Sequence, residues 1–165
     1  MHTLIIALAQ YLIIIPLLIG VVVFWRLPTK NARLTFMLEA LVAAVLVLAL
    51  AKLGSMLFNN PRPFVAGHFT PYFPHGNDNG FPSDHTALAT AVAAVVLLWH
   101  RRAGAALLVL AVLIGTARVG AHVHHWPDIV AGLAIGVVCA ALGVLAARWA
   151  VPAFSRARAA QRHTV

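Results

Sequence analysis

The sequence predicts an all-α membrane protein, a polytopic bundle of about five transmembrane helices, from its composition, its long apolar runs and the placement of its basic residues. Of its 165 residues, 62% are hydrophobic and 10% are charged, which excludes an ordinary soluble domain. The formal net charge of +8 comes from short basic clusters between apolar runs. Such clusters are typical of membrane orientation rather than of nucleic-acid binding. We therefore expect one integral membrane domain over residues 1–165, with no nucleic-acid partner.

Five apolar runs approach the roughly 20 residues that cross a bilayer. They are residues 4–25, 34–58, 84–99, 104–119 and 128–150. The first is too long for the core of a signal peptide and has no basic residues before it, which predicts a retained helix. The third and fourth are short, so we expect their ends to be covered by protein or the bilayer to thin around them. Cys139, the single cysteine, is expected to pack within the last helix.

Basic residues predict the orientation of the bundle. They fall in three segments that the positive-inside rule places in the cytoplasm: Arg26, Lys30 and Arg33; Arg101 and Arg102; Arg148, Arg156, Arg158 and Arg162. The connections 59–83 and 120–127 then lie on the outer side, as does the N-terminus. Three of the four acidic residues and most of the histidines adjoin these outer connections. A single outward-facing polar site is therefore predicted.

The first candidate motif of this site is Lys52 followed by NNPRPF, residues 59–64. Prolines on both sides of Arg62 restrict its backbone and would aim a guanidinium fork at phosphate. Lys52 lies about a turn and a half before the end of the second span and can reach the site along its own aliphatic stem. Taken alone, Arg62 is better explained as a membrane-edge arginine after a helix stop.

The second motif is FPSDHT, residues 81–86, and the third is RVGAHVHHWPD, residues 118–128. Ser83 is a good N-cap, and the helix start behind it is suited to an anion. His85 in the first turn can deliver a proton, although a solvated or capping histidine is the alternative. In the third motif, an aspartate near His124 can keep one ring nitrogen protonated and leave the other as a nucleophile or base.

The combination of PRP, PSDH and R-x5-H-x3-D resembles the type 2 phosphatidic acid phosphatase family over residues 52–128, about half of the chain. The resemblance implies a metal-independent reaction through a phosphohistidine, without a cofactor. Carried over by position, His124 would attack phosphorus, Asp128 would orient it, and His85 would protonate the leaving group and then activate water. The residues that would hold the phosphoryl oxygens are Arg62, Arg118, Lys52 and Ser83.

Within the family, PRPFV and FPSDHT resemble the bacterial undecaprenyl pyrophosphate phosphatases, which recycle the lipid carrier of cell-wall synthesis on the outer face of the inner membrane. The resemblance implies a lipid pyrophosphate substrate whose tail lies between the spans. Other lipid phosphates, namely phosphatidylglycerophosphate, phosphatidate or lipid A phosphates, remain alternatives. The sequence does not predict the oligomeric state.

Four features depart from the family pattern. Ser55 stands where the family has its lysine, and Lys52 lies one helical turn earlier on the same face. Asp84 replaces a glycine and puts a carboxylate near an anion site, so it must be turned away or paired. Ala117 replaces a serine. Five predicted spans replace the usual six.

A hypothesis of another class is a metal-binding membrane protein or transporter, with ligands from His85, His122, His124, His125 and Asp128. This spacing matches no standard metal motif, and the nearby arginines would repel a cation. A third alternative is an anion-binding or structural membrane protein without turnover. We expect His122 and His125, like Asp84, to support or adjoin the catalytic groups.

The remaining polar and aromatic residues have simpler interpretations. His68, His75 and Asp78 lie in a loop rich in Gly, Pro and Asn and are expected to form the surface of a mobile lid, with headgroup contacts as the alternative. Glu39 is expected to pair with an arginine or to line a helix contact. The four tryptophans fall at predicted span ends and fit an aromatic belt; they are Trp25, Trp99, Trp126 and Trp149.

Overall fold

The computed structural model describes residues 2–162, with side chains described over residues 2–152. Over these residues the chain is all-α, as predicted, and contains no strand. The helices are α1 (His2–Tyr11), α2 (Ile14–Arg26), α3 (Lys30–Leu57), α4 (Pro63–Ala66), α5 (Asp84–Trp99), α6 (Arg101–Gly120) and α7 (Trp126–Arg162). The side chains of Arg156, Arg158 and Arg162, three of the predicted cytoplasmic residues, lie outside the described residues.

Four helical segments of the described chain are long and apolar enough to cross a membrane: His2–Arg26, Lys30–Leu57, Arg101–Gly120 and Trp126–Pro152. The protein is therefore a multi-pass membrane protein. The fourth predicted run is longer than expected, because the His100 side chain accepts a hydrogen bond from Ala103 N at 3.3 Å and starts α6 at Arg101. The third run, α5, has 16 residues and is as short as predicted.

The first span is interrupted between α1 and α2, which the apolar pattern did not predict. Pro16 explains the interruption, because proline has no N–H and its ring collides with the carbonyl of Leu12 four residues earlier. The Leu12 carbonyl instead accepts a hydrogen bond from Ile15 N at 3.2 Å. The end of α1 therefore leaves backbone carbonyls free for other partners.

Helix α5 lies at the centre of the bundle and packs against α2, α3, α6 and α7. One close approach is to α7, where Gly132 and Gly136 form a small-xxx-small pair. A Cβ at Gly136 would lie 2.5 Å from the carbonyl oxygen of Ala87, and one at Gly132 would lie 2.8 Å from that of Ser83. Because α5 is enclosed by protein, a 16-residue helix suffices there, as the sequence predicts.

Glu39 is buried in α3, and its Oε2 accepts a hydrogen bond of 2.6 Å from Trp99 Nε1 at the end of α5. Glu39 therefore lines a helix contact, one of its two predicted interpretations. The belt interpretation of Trp99 is incomplete, because this indole ties α5 to α3. Trp25, Trp126 and Trp149 are exposed at span ends, consistent with an aromatic belt.

Candidate active site

The three predicted motifs converge on one cavity of about 510 Å³ at the end of the bundle formed by the C-terminal end of α3 and the N-terminal end of α5. The six residues of the predicted site that line it are Lys52, Arg62, Asp84, His85, Arg118 and His124. Asp128 and Ser83 are fully buried behind the wall. Three further lining residues, His75, Asp78 and Asn79, come from the loop between α4 and α5.

His124 is buried, and its Nδ1 lies 3.3 Å from Asp128 Oδ2 while its Nε2 lies 3.3 Å from Arg62 Nη1. A guanidinium can only donate, so Nε2 accepts, and Nδ1 carries the proton toward the carboxylate. Burial lowers the pKa of His124 to about 4, against the opposing hydrogen bond to Asp128 and with the added effect of the charges of Arg118 and Arg62. At neutral pH the ring is therefore neutral, with the lone pair of Nε2 available for attack.

Asp128 is positioned by groups that lie far apart in the sequence. Its Oδ1 accepts a hydrogen bond from Asn60 Nδ2 at 2.6 Å, and its Oδ2 accepts one from His125 N at 2.8 Å. The carbonyl of Asp128 also accepts a bond of 3.1 Å from Ser83 N. The start of α7 is thus connected to the loop before α4 and to the start of α5.

Arg62 is held in the extended backbone conformation (φ −58°, ψ 152°) that a following proline favours. Its Nη1 donates to the Val123 carbonyl at 2.8 Å, and its Nε donates to Asp78 Oδ1 at 3.0 Å. With Nη1 also 3.3 Å from Nε2 of His124, the guanidinium adjoins the candidate nucleophile directly.

Arg118 is buried at the end of α6, and its Nη1 donates to the carbonyl of Ala9 at 3.0 Å. This carbonyl belongs to the last turn of α1, which the interruption before α2 leaves unpaired. Arg118 Nη2 lies 3.2 Å from His75 Nε2, and Arg118 Nε has no hydrogen-bond partner among the described residues.

Ser83 occupies the N-cap position of α5, but its side chain makes no capping hydrogen bond, so that part of the sequence interpretation is wrong. Its Oγ accepts a bond of 3.0 Å from Thr86 Oγ1 and is enclosed by protein.

The adjacent Asp84 is exposed and lines the cavity, so the carboxylate is not turned away. His85 is partly buried in the same wall as His124.

Lys52 is exposed on α3 and lines the cavity, one turn from Ser55, which also lines it. Lys52 therefore reaches the cavity from the same face of α3 as Ser55, which stands where the family has its lysine.

The loop between α4 and α5 contributes more than the predicted lid surface. Asn79 donates from Nδ2 to the carbonyls of Ser55 and Phe58, and its Oδ1 accepts from Asn60 N and Phe81 N. Asp78 pairs with Arg62, whose hydrogen bond and charge lower the pKa of this carboxyl although partial burial raises it. The sequence analysis did not identify Asn60 and Asn79, whose hydrogen bond connects the segment before α4 to the segment before α5.

His122 and His125 have separate roles. His122 has a positive φ of 60°, and the bonds from His122 N to Val119 O and from Val123 N to Arg118 O form a Schellman turn after α6. Its ring packs edge-on against Phe69 and Tyr72, away from the cavity wall. The His125 backbone holds Asp128, and its Nε2 lies 3.2 Å from the Pro61 carbonyl. Within the described part of the chain, the predicted metal ligands do not converge as a group of three.

Comparison with known proteins places this site in a family. Residues 33–152 match the PAP2 superfamily. The chain belongs to this superfamily. The match extends beyond the three motifs into the flanking spans and confirms the resemblance to type 2 phosphatidic acid phosphatases. This membership indicates that the protein is a phosphatase, a hydrolase that acts on phosphate esters or anhydrides.

Three curated relatives of this PAP2 protein are similar over most of the chain. The bacitracin transport permease protein BcrC of Bacillus licheniformis is 34% identical over 149 residues, 90% of this chain and 70% of that protein. The putative undecaprenyl-diphosphatase YbjG of Escherichia coli is 36% identical, covering 76% and 62%. The undecaprenyl-diphosphatase BcrC of Bacillus subtilis is 30% identical, covering 69% and 58%. The chain thus spans about three fifths of the length of the last two.

A solved structure shares the fold of this PAP2 protein. The crystal structure of Aquifex aeolicus LpxE superposes with a TM-score of 0.65 at 29% sequence identity, covering 87% of this chain and 82% of that one.

Replacement of His122 by glycine should be tolerated. Glycine removes the cost of about 1–2 kcal/mol of a left-handed residue with a Cβ, while the two lost ring contacts cost about as much. We expect lipid phosphate hydrolysis by purified His122→Gly within about twofold of wild type, with thermal unfolding as the stability control. Loss of turnover in a folded variant would instead favour the ligand interpretation of this histidine.

Proposed function

We propose that this protein is a membrane lipid diphosphatase that hydrolyses undecaprenyl pyrophosphate to undecaprenyl phosphate and phosphate. The observation that carries the proposal is the His124–Asp128 pair, with Nε2 of a neutral imidazole beside Arg62 in a cavity that Arg118 and His85 also line. Two of the relatives are named undecaprenyl-diphosphatases. An imidazole nucleophile beside fixed guanidinium groups is suited to phosphoryl transfer.

In the first step, Nε2 of His124 forms a bond to the terminal phosphorus, and the bond from that phosphorus to the bridging oxygen breaks. His85 enters this step as an imidazolium, gives its proton to the leaving oxygen of the lipid monophosphate and is left as a neutral imidazole. The negative charge of the diphosphate in the transition state is stabilised by Arg62 and Arg118, which are already desolvated by burial.

In the second step, a water molecule attacks the phosphohistidine, the N–P bond breaks and inorganic phosphate leaves. His85 accepts the proton of the attacking water and returns to its starting state. Asp128 keeps the Nδ1 proton of His124 in place throughout, so that Nε2 remains the reacting nitrogen. The role of Lys52 is to add positive charge from α3, whereas Ser83 supports the start of α5.

We place the protein in the bacterial inner membrane with the site on the outer face. The basic residues Arg26, Lys30, Arg101 and Arg102 lie at helix ends opposite to the cavity, which supports a cytoplasmic location for those ends. A phosphate site on the outer face suits a lipid carrier that is recycled there.

The hydrocarbon tail has a path along α3. A second cleft of about 530 Å³, lined by apolar residues of α2, α3 and α5, includes Met37, Leu41 and Ala44. The catalytic cavity includes Leu48 and Lys52 from the same helix. Spacings of three and four residues place all five on one face of α3. We assign this face to the tail, which would run from the phosphate site toward the bilayer interior.

The central prediction concerns turnover without metal. Purified protein in detergent with excess EDTA should release phosphate from undecaprenyl pyrophosphate. A labelled terminal phosphate of the substrate should become attached to the chain. The bond that holds it should be broken by acid and stable to alkali, as expected for a phosphohistidine. His124→Ala should lower turnover by about 10³-fold or more and abolish the label while leaving substrate binding largely intact. Abolition of wild-type turnover by EDTA with rescue by zinc, or undiminished turnover in His124→Ala, would overturn the mechanism.

The orientation predicts the labelling of cysteines placed at opposite ends of the bundle. Asn77 and Asn31 are both exposed, and the native Cys139 is buried and should give little background. In intact cells, a membrane-impermeant thiol reagent should label Asn77→Cys, whereas Asn31→Cys should react only after lysis. The reverse pattern would show that the cavity faces the cytoplasm.

The tail path predicts the effect of a bulky side chain in the cleft. Ala44→Trp should lower kcat/KM for the long-chain diphosphate about tenfold, since overpacking costs about 1–3 kcal/mol, and should leave a five-carbon isoprenyl diphosphate unaffected. Ala49→Trp is the matched control, because Ala49 is exposed on α3 and lines neither cavity. An equal loss for both chain lengths would argue against this path.

A further inference from the structure

His75 is a fixed part of the cavity wall, although it belongs to a long loop. Its ring lies between Phe64 and Phe73, with ring centroids 6.4 Å and 5.8 Å away, and both phenylalanines are buried. The same ring lines the catalytic cavity together with His85, Arg118 and His124. It is therefore held by apolar packing on one side and faces the reactive groups on the other.

The protonation of His75 follows from its contact with Arg118. Arg118 Nη2 lies 3.2 Å from His75 Nε2, and because a guanidinium only donates, Nε2 accepts. Burial, followed by the charges of Arg62 and Arg118, lowers the pKa of His75, so the ring is neutral at neutral pH. A neutral ring that accepts at Nε2 carries its proton on Nδ1, which is therefore a donor.

This donor is buried and unsatisfied. His75 Nδ1 makes no hydrogen bond of ordinary geometry with any described residue. The backbone of the adjacent Gly76 raises the pKa of His75, but burial and the arginine charges lower it by more. Arg118 Nε is also buried, and it has no hydrogen-bond partner within the described part of the chain. Both unpaired donors thus belong to two side chains that contact each other in the cavity wall. Such groups are rare in native proteins and indicate an acceptor that arrives from outside the chain.

Arg62 has a different environment. Its Nε and Nη1 already donate to Asp78 and Val123, and Nη1 adjoins the attacking nitrogen of His124. Arg62 is thus placed at the phosphorus that His124 attacks. The unpaired donors of His75 and Arg118 are available to the other phosphate of a diphosphate.

We propose that His75 is a substrate-binding residue that, together with Arg118, holds the second phosphate of a diphosphate and sets the preference for diphosphate over monophosphate lipids. The inference rests on the proposed diphosphatase function. It assigns a specificity role to a loop histidine that lies outside the three sequence motifs.

The test compares three substitutions of His75 that distinguish the contribution of Nδ1 from that of Nε2. His75→Phe keeps the packing against Phe64 and Phe73 but removes both nitrogens. His75→Asn retains a donor near the position of Nδ1, and His75→Gln retains a polar group near that of Nε2. His68→Phe is the matched control, because His68 is exposed on the same loop and does not line the catalytic cavity.

The measurement is kcat/KM of the full chain in detergent for an isoprenyl diphosphate and for the monophosphate of the same chain length. In His75→Phe, kcat/KM for the diphosphate divided by kcat/KM for the monophosphate should fall about tenfold, because one charge-assisted hydrogen bond contributes about that factor. The ratio should recover in His75→Asn, stay low in His75→Gln and remain unchanged in His68→Phe. An equal loss for both substrates would show that His75 only steadies Arg118, and an unchanged ratio would show that it plays no part in specificity.

A binding measurement separates this inference from the proposed function. If wild type hydrolyses neither lipid, the diphosphatase proposal fails. Calorimetry with inorganic pyrophosphate and with inorganic phosphate then tests His75 independently. A preference of wild type for pyrophosphate that is about tenfold weaker in His75→Phe supports the inference, and equal preferences in the two proteins overturn it.

Discussion

The carboxylate of Asp128 receives three hydrogen bonds from two separate parts of the chain, and the geometry of the whole site depends on it. His124 Nδ1 and the His125 backbone contact Oδ2, and Asn60 Nδ2 contacts Oδ1 across 68 residues of sequence. Because the carboxylate is fully buried, each of these bonds forms without competition from bulk water. Asp128 therefore fixes the tautomer of His124 and, in the same contact network, fixes where the loop before α4 begins. Loss of this one side chain would leave several buried donors unpaired, which is costly.

Close helix packing makes that network possible. The carbonyl of Asp128 receives the Ser83 amide only because α7 approaches the start of α5 at Gly132, where no side chain separates the backbones. The same approach buries α5 on all sides and allows a helix shorter than a bilayer span. Small residues at a helix contact fill less volume with side chains, but they let the two backbones lie close together. At the cavity end of the bundle, this proximity aligns two polar helix starts, one with His85 and the other with Asp128.

The cavity is lined by acidic residues of the chain as well as by arginines, and these carboxylates would repel an anionic substrate. Asp78 pairs with Arg62, yet its side chain is 68% exposed and can turn into solvent, whereas the guanidinium is fixed by burial. Among the described residues, Arg118 forms hydrogen-bond contacts only with neutral groups, the Ala9 carbonyl and His75, and the exposed Asp84 carboxylate acts on its charge from a longer distance. A substrate phosphate therefore competes with a carboxylate at Arg62 but meets unpaired donors at Arg118. The two arginines that look equivalent in the sequence motifs are thus electrostatically different.

The sequence by itself determined the helical membrane class, the order of the spans and the pairing of His124 with Asp128. These features depend on local composition and on spacing within one turn of chain, which is why they could be predicted. Only the tertiary structure decided what His75, Asp78, Asn60 and Asn79 do, because a loop without periodicity carries no signal for its distant partners. It also changed the roles of Ser83, which is enclosed by protein, and of His122, whose left-handed backbone closes α6. The physical reason is that hydrogen-bond partners across 16 to 109 residues are chosen by helix packing, and packing is a property of the whole bundle.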